Sequence, residues 1–405
     1  MARWCKECAR VRVQPRIFVF VRDLPPEFFL NSPVHSSSPA ATPRQDGFYL
    51  PADDGRLGRV WLPWPLETQA NLRSEIAGLA QVISGFAPVS ILASPGAEKN
   101  ASEMCGSAAD IDTLEHQSLR LRDTGPAFLI DGKGGSAAVD WRFNGWGGRG
   151  EFGNTDAEFA HALLGFTEVR RFRAPLTVEN SASVSDGSDT LIALAPAVFD
   201  EKRNPDVTRM EAFSIFMHWL GTARVIWLED AHPADALQCE VRALTAFIKP
   251  GVVAVSAAHD DHPHGEVLRK TAERLSKAND ARGETLELVT LPTPPPLKTP
   301  GAAPLSYTGF VPVNGTVLVP SYDAPGDERA ADILAGAFEN HSVTPVPART
   351  LAAAGLSLPS VILPHQARLL ERDRATILPR SAWGQEPPDA EALLQKYVEM
   401  AKADE

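Results

Sequence analysis

The spacing of apolar residues switches repeatedly between a helical period and a strand period along the chain. From Asn71 to Val82 apolar side chains keep helical spacing, Gly85 follows, and Val89 to Leu92 is a short apolar run. This pattern predicts a helix that ends near the glycine and leads into a strand. Similar units are predicted as a helix at 156–164, a helix from 205 to Gly221 with a strand at 224–228, a helix at 266–277 with a strand at 285–291, and a helix at 328–338 with a strand at 343–345. Such repetition predicts a closed or stacked α/β array.

The composition is that of a folded, soluble protein. Of the 405 residues, 44% are hydrophobic and 22% are charged. No apolar run approaches the roughly 18 residues that a membrane span requires. The formal net charge of −12 argues against a nucleic-acid surface and favours cationic ligands. We therefore expect neither nucleic acid nor a membrane among its partners.

Cysteine usage bears on the compartment and on metal binding. The four cysteines, Cys5, Cys8, Cys105 and Cys239, are too few and too scattered for a disulfide framework. We therefore predict a reducing compartment, namely the cytoplasm. Cys5 and Cys8 have the C-x-x-C spacing of half a zinc or redox site, but no second pair or nearby histidine completes it. We predict no metal there.

Three regions are predicted along the chain. Residues 1–46 carry several arginines and then a Ser/Pro/Ala-rich stretch, which is typical of a poorly ordered extension. Residues 47–370 form the predicted α/β domain, which opens with a strand at 60–65. Residues 371–405 form a C-terminal extension with a terminal helix at about 388–401.

One stretch, from Leu119 to Gly148, is dense in polar and aromatic residues. A charged pair, Arg122 and Asp123, precedes turn residues and a short apolar run, so its carboxylate is predicted at a strand end. Further on, tryptophans Trp141 and Trp146 lie among polar residues and glycines. The stretch therefore predicts the rim of a pocket.

Two segments of this stretch carry a family resemblance. They are RDTGP, which begins at Arg122, and VDWRFNGWGG, which begins at Val139. Both closely resemble agmatine deiminases and the related bacterial-type protein-arginine deiminases of the guanidino-group modifying superfamily, and the resemblance runs from about residue 48 to about 363. It implies the pentein fold, a five-bladed α/β propeller of repeated ββαβ units. It also implies agmatine or a peptidyl arginine as substrate, no cofactor, and a tendency to dimerise.

The resemblance also implies a mechanism and its residues. In this family a cysteine thiolate attacks the guanidinium carbon, a histidine transfers protons, and carboxylates hold the planar cation. Asp123 matches the first guanidinium-binding aspartate. Glu179 matches an acidic position, although Asn180 and Ser181 replace the two glycines that follow it in the family.

The same resemblance implies departures at the catalytic positions. Glu240 occupies the position of the family's general acid/base histidine, Arg242 that of the second guanidinium-binding aspartate, and Gly309 that of an asparagine. Ser360 stands at the nucleophilic cysteine, after Pro359 at the preceding histidine. A serine needs an activating base, and loss of acid/base assistance typically costs a factor of about 10² to 10⁴.

These residues support three hypotheses. The first is a non-catalytic member of the family, in which Arg242 folds into the cation pocket and pairs with Asp123 or Glu179. The second is an active hydrolase that acts on agmatine or a peptidyl arginine with altered catalytic residues. The third is a non-catalytic partner of an active paralogue in a heteromer; a homodimer is the other assembly that the family's tendency to dimerise allows. In each, Asp123, Glu179, Arg242, Trp141 and Trp146 are the predicted substrate-binding residues, and Ser360 and Glu240 hold the catalytic positions.

Histidines near the site leave two smaller alternatives. The loop from His259 to Glu266 contains metal-ligand side chains, but a solvated loop is the interpretation that we favour. His365 follows Ser360 closely in sequence and is a candidate base for it, although nearness along the chain does not establish contact.

Overall fold

The computed structural model describes residues 42–167, 169–257 and 261–366. The predicted N-terminal extension overlaps this part only at a short 3-10 turn, Pro43–Asp46. The predicted C-terminal extension, with its terminal helix, and the Cys5 and Cys8 pair lie outside the described residues. The predicted domain boundaries therefore stay predictions. Within the described residues, no helix combines the length and the apolar character that crossing a membrane would require.

Five small sheets organise the described chain, one with four strands and the others with three. The strands are β1 Leu57–Pro63, β2 Val89–Ala93, β3 Asp110–Thr113, β4 Ala127–Ile130, β5 Ser136–Arg142, β6 Arg170–Thr177, β7 Ser183–Ser185, β8 Thr190–Leu194, β9 Arg224–Leu228, β10 Thr245–Lys249, β11 Val252–Ser256, β12 Glu287–Leu291, β13 Val311–Val313, β14 Thr316–Ser321, β15 Ser342–Pro347 and β16 Leu363–Gln366.

Helices connect the strands. They are α1 Arg73–Ser84, α2 Glu98–Cys105, α3 Leu121–Thr124, α4 Gly145–Gly148, α5 Asn154–Ala157, α6 Phe159–Leu164, α7 Ala195–Val198, α8 Arg209–Leu220, α9 Gly265–Ser276, α10 Asp327–Ala337, α11 Arg349–Ala353 and α12 Leu358–Val361. In each three-stranded sheet an antiparallel pair comes first, and a helical crossover then adds a parallel strand. The predicted ββαβ repeat and the five-bladed α/β propeller are thus confirmed.

The first sheet closes the ring. Strand β16 pairs antiparallel with β1, with Trp61 opposite Leu363, so the last described strand completes the blade that the first strand begins. Strand β2 then adds in parallel to β1, and β3 to β2. Because β16 follows Ser360 directly, ring closure fixes that residue beside residues from much earlier in the chain.

Helix boundaries differ from the sequence predictions where capping residues act. Helix α8 begins at Arg209 rather than near Pro205, because Thr208 and Glu211 form a reciprocal capping box at its start. Gly221 adopts a left-handed φ of 72° and ends the helix, as predicted. The single helix expected at 156–164 is instead two short helices, α5 and α6, that meet at the non-helical Glu158.

A short helical turn precedes the first strand of each blade, and these five turns place the site. We call them the inner turns. They are α3, the 3-10 turns Asn180–Ala182, Val241–Ala243 and Tyr307–Gly309, and α12. From α3 to Tyr307–Gly309 each inner turn contacts the next, and α12 contacts α3. Asp123 therefore lies on a helical turn before a strand, which corrects the strand-end position that the sequence predicted.

Candidate functional site

An arginine, Arg120, lies at the centre of the inner turns. Its Nε donates to Asp123 Oδ2 at 2.6 Å, and its Nη1 donates to the carbonyl of Gly355 at 3.2 Å. Its Nη2 lies 3.5 Å from Glu240 Oε2 and 3.7 Å from Cys239 Sγ. Burial alone would lower the pKa of Arg120, but the carboxylates of Asp123 and Glu240 reverse this and raise it. The site therefore contains a permanently charged guanidinium group supplied by the chain.

One carboxylate oxygen of Asp123 accepts three hydrogen bonds. Its Oδ2 accepts from Arg120, from Trp146 Nε1 at 2.9 Å and from the Cys239 thiol at 3.6 Å. The other oxygen, Oδ1, is buried and has no hydrogen-bond partner among the described residues. The predicted cation-binding aspartate thus binds a cation, but one that belongs to the protein.

The two predicted rim tryptophans take different positions. Trp146 reaches Asp123 because its backbone adopts a left-handed φ of 57°, within α4 where the glycines on either side also have positive φ. Trp141 instead packs its ring edge-to-face on Phe216, with centroids 6.0 Å apart, in the hydrophobic core. The structure therefore corrects the rim position predicted for Trp141.

Asp235 holds the segment that carries Cys239 and Glu240. Its Oδ2 accepts the backbone N–H groups of Cys239 at 2.8 Å and Glu240 at 2.7 Å. Burial and the nearby carboxylates of Asp123 and Asp235 raise the pKa of the Cys239 thiol well above its ordinary value. Cys239 is thus a protonated thiol donor rather than a reactive thiolate.

Ser360 is bound to its own helix cap. Its hydroxyl donates to the carbonyl of Ser357 at 2.7 Å and accepts from the Ser357 N–H at 3.1 Å. The residue is fully buried. The Ser357 hydroxyl in turn donates to Glu240 Oε2 at 2.6 Å, so Ser357 lies between the two predicted catalytic positions.

Glu240 and Glu179 are both buried acids with an unpaired oxygen. Burial raises the pKa of Glu240 despite the neighbouring Arg120. Glu179 Oε1 accepts from Arg203 Nε at 3.0 Å, with both side chains fully buried. Burial raises the pKa of Glu179 to about 7. Among the described residues, Glu240 Oε1 and Glu179 Oε2 have no hydrogen-bond partner.

Stability is expected to fall with rising pH because of Glu179. Its pKa is about 7 in the folded protein and 4.5 for the ordinary group, so the folded state keeps a proton that the unfolded chain has already released. The stabilisation of the folded state by this proton is complete below pH 4.5 and is lost as pH rises through 7. It amounts to about 3 kcal/mol. Urea unfolding between pH 4.5 and pH 8 should show this slope, and Glu179→Gln should flatten it; an unchanged slope in the variant would contradict the assignment.

Arg242 pairs with Asp53 and not with the acids at the centre. Its Nη2 pairs with Asp53, and Arg122 Nη1 lies 3.6 Å from the other oxygen of the same carboxylate. The predicted pairing of Arg242 with Asp123 or Glu179 is therefore wrong. Burial and the adjacent Arg242 lower the pKa of Arg122 to about 10. Burial alone would raise the pKa of Asp53, but the two arginines outweigh it and hold that pKa low.

The substituted glycine and asparagine positions also have defined contacts. Asn180 donates from Nδ2 to the carbonyl of Gly125 at 2.8 Å, so it joins two inner turns. Ser181 is fully buried. Gly309 faces Pro359, because a Cβ added to the glycine would lie 3.6 Å from the proline ring. Gly309 and Pro359 are therefore neighbours on two different inner turns.

The histidine-rich loop brings its histidines close to one another. His262 and His264 have ring centroids 5.6 Å apart, and His232 lies 4.7 Å from His264. His259 and Asp260 lie outside the described residues. No group of three metal-ligating side chains within the described ranges is arranged to hold a metal ion. His365 stacks on Phe128 with centroids 4.0 Å apart.

Several site residues were missed by the sequence analysis. Arg120 is separated from Asp123 by three positions, the spacing of an ion pair on a helical turn, and that signal could have identified it. Arg203 lies 24 residues from Glu179 along the chain, so their pairing leaves no local pattern. Asp235 precedes Cys239 and Glu240 by only four and five residues, but it lies on an irregular segment that shows no periodic pattern.

Comparisons with known proteins identify the family and the fold. The family model for Porphyromonas-type peptidyl-arginine deiminase matches residues 49–360. An agmatine deiminase of Pseudomonas aeruginosa is 30% identical over 353 residues, covering 79% of this chain and 95% of that protein. One of Pseudomonas putida is 30% identical over 348 residues, covering 78% and 94%. The solved agmatine deiminase of Enterococcus faecalis shares the fold with a TM-score of 0.78 at 24% identity, covering 81% of this chain and 98% of that one.

Proposed function

Because the chain belongs to the family of agmatine deiminases and Porphyromonas-type peptidyl-arginine deiminases, we propose that it is a member which keeps the fold and the acidic pocket without the deiminase reaction. Related proteins from two Pseudomonas species are named agmatine deiminases. Agmatine and a peptidyl arginine are accordingly the compounds on which the proposal is tested.

The observation that carries this proposal is the hydrogen bonding of Ser360. Its hydroxyl proton is donated to the Ser357 carbonyl, and its lone pair accepts from the Ser357 N–H. Neither group is a base that could take up the proton. A serine without such a base is a weak nucleophile, so this arrangement supports a structural role for Ser360 as a capping residue.

The acid at the proton-transfer position supports the same proposal. Glu240 uses Oε2 to accept from Ser357 and Arg120, rather than from Ser360. Departing ammonia must be protonated and an attacking group must lose a proton. A carboxylate oxygen that already accepts from the Arg120 guanidinium is a weaker base for either role.

One contact favours the alternative of an active hydrolase. The Ser357 hydroxyl lies 2.6 Å from Glu240 Oε2, which is the separation of a nucleophile and its general base. In that alternative Ser357 attacks the guanidinium carbon and Glu240 accepts its proton. Ser357 and Ser360 therefore make different predictions for mutagenesis.

We expect no turnover of agmatine or of an arginine peptide by the unmodified protein. The test measures the ureido product and ammonia together, beside the Pseudomonas aeruginosa relative as a positive control. Ser360→Cys should also be inactive, because a thiol alone does not restore proton transfer, which is worth about 10² to 10⁴ in rate.

The remaining outcomes separate the hypotheses. Turnover by the unmodified protein that is lost in Ser357→Ala would support the Ser357 mechanism and overturn the proposal. Turnover lost only in Ser360→Ala would overturn it in favour of serine at the family's nucleophile position. Activity in Ser360→Cys alone would show that the nucleophile is the one missing part.

A further inference from the structure

The guanidinium group of Arg120 meets partners from three separate segments of the chain. These partners are Asp123 on α3, Glu240 and Cys239 just before the inner turn Val241–Ala243, and the carbonyl of Gly355 before α12. We infer that Arg120 is a built-in occupant of the cation pocket, and that removal of its side chain opens a site for an external guanidinium group. This inference rests on the proposed function, since both assign these acids to the cation pocket.

The geometry is that of a bound planar cation rather than of a surface ion pair. Each nitrogen of the Arg120 guanidinium has an acceptor, and the side chain is only 7% exposed. A guanidinium presents its N–H donors in a rigid fork that matches carboxylates. Acceptors from several blades bind the N–H groups of Arg120, so removal of its side chain leaves a cavity of defined shape.

The acids of the pocket keep acceptor oxygens that no donor of the described residues uses. Asp123, Glu179 and Glu240 each keep one buried oxygen without a partner among the described residues. Two buried arginines, Arg120 and Arg203, face these three acids. Truncation of Arg120 would leave unpaired carboxylate oxygens around the cavity, which is a binding site for a small planar cation.

The attachment of Arg120 explains why it reaches the centre. The residue is the N-cap of α3, with φ −87° and ψ 66°, so it lies just outside the helical turn. Its backbone N–H donates to the Ser118 hydroxyl at 3.0 Å rather than to a carbonyl of a helix. The side chain can therefore fold back over α3 to Asp123.

The test is rescue of Arg120→Ala by free guanidinium at low millimolar concentration, with sodium chloride at equal ionic strength as the reference. We expect a saturable rise in melting temperature of about 2–4 °C at a concentration roughly tenfold above the Kd. The unmodified protein should show no rise. Ammonium chloride should be ineffective, because a point charge cannot form the forked contacts.

Two variants make the assignment specific. Arg209→Ala removes an arginine from an exposed pair with Glu229 and should show no rescue. The double variant Arg120→Ala/Asp123→Asn should lose the rescue, because it lacks the central acceptor. If Arg120→Ala does not fold, Arg120→Lys replaces it, since the lysine keeps one contact with Asp123 and vacates the others.

Calorimetric titration with agmatine provides a second readout on the same proteins. Binding to an Arg120 variant that is at least about tenfold tighter than to the unmodified protein supports the inference. Equal binding to both, or rescue that survives in the double variant, overturns it. Turnover of agmatine by Arg120→Ala would support the inference that Arg120 occupies the cation pocket, but it would refute the proposal that the protein lacks the deiminase reaction. The failure of one idea can therefore be told from the failure of the other.

Discussion

Replacement of Arg203 by methionine is expected to lower the free energy of unfolding by about 3–5 kcal/mol at pH 8. The substitution leaves Glu179 as an unpaired charge where its side chain has no solvent exposure. It also removes the bond from Arg203 Nη2 to the carbonyl of Leu237, 2.8 Å long. Methionine keeps most of the side-chain volume, so the loss reports the charge and not a cavity.

The loss should depend on pH in a way that identifies Glu179. Its pKa is about 7, so at pH 5.5 the acid is mostly protonated and Arg203 contributes less. Urea unfolding should therefore show a smaller loss at pH 5.5 than at pH 8. The double variant with Glu179→Gln should recover most of the stability. The surface control Arg209→Met should cost about 1 kcal/mol or less; an equal loss in both single variants would contradict the argument.

Asp235→Ala is the second substitution with a large expected effect, about 2–5 kcal/mol. It leaves the N–H groups of Cys239 and Glu240 buried without an acceptor. The segment that places Glu240 beside Arg120 should loosen as a result. Chemical denaturation measures the loss of stability, and mass spectrometry after thiol labelling measures the loosening at Cys239.

A matched control exists in the same chain. Asp131 accepts the backbone N–H groups of Lys133 and Gly135, each at 2.7 Å, in a more exposed turn of similar geometry. Water can replace that carboxylate, so Asp131→Ala should cost about 1 kcal/mol or less. Labelling of the buried Cys105 should be unchanged in both variants. Faster labelling of Cys105 as well would indicate general unfolding instead of local release.

The sequence predicted the blades well, because their apolar periods are local. The α9 and α10 helices and the strands that follow them lie within a few residues of the predicted bounds. Capping chemistry shifted the start of α8, and the split between α5 and α6 left no periodic signal.

The sequence predicted which residues lie together at the site, but not which carboxylates the arginine side chains bind. Family resemblance placed Asp123, Glu240 and Ser360 together, and the contacts of Arg120 and Ser357 connect all three. It could not show that Arg242 turns to Asp53, because a long side chain can reach carboxylates in several directions. The arginine at the centre proved to be Arg120, which precedes the predicted motif by only two positions.

The pairing of β16 with β1 has a consequence for synthesis of the protein. A ribosome releases β1 among the first strands of the domain and β16 among the last, so one edge of the first sheet stays open through nearly all of translation. An open strand edge is a template for pairing with another chain. Nascent chains held close together on one messenger are thus exposed to cross-pairing at β1 until the propeller closes.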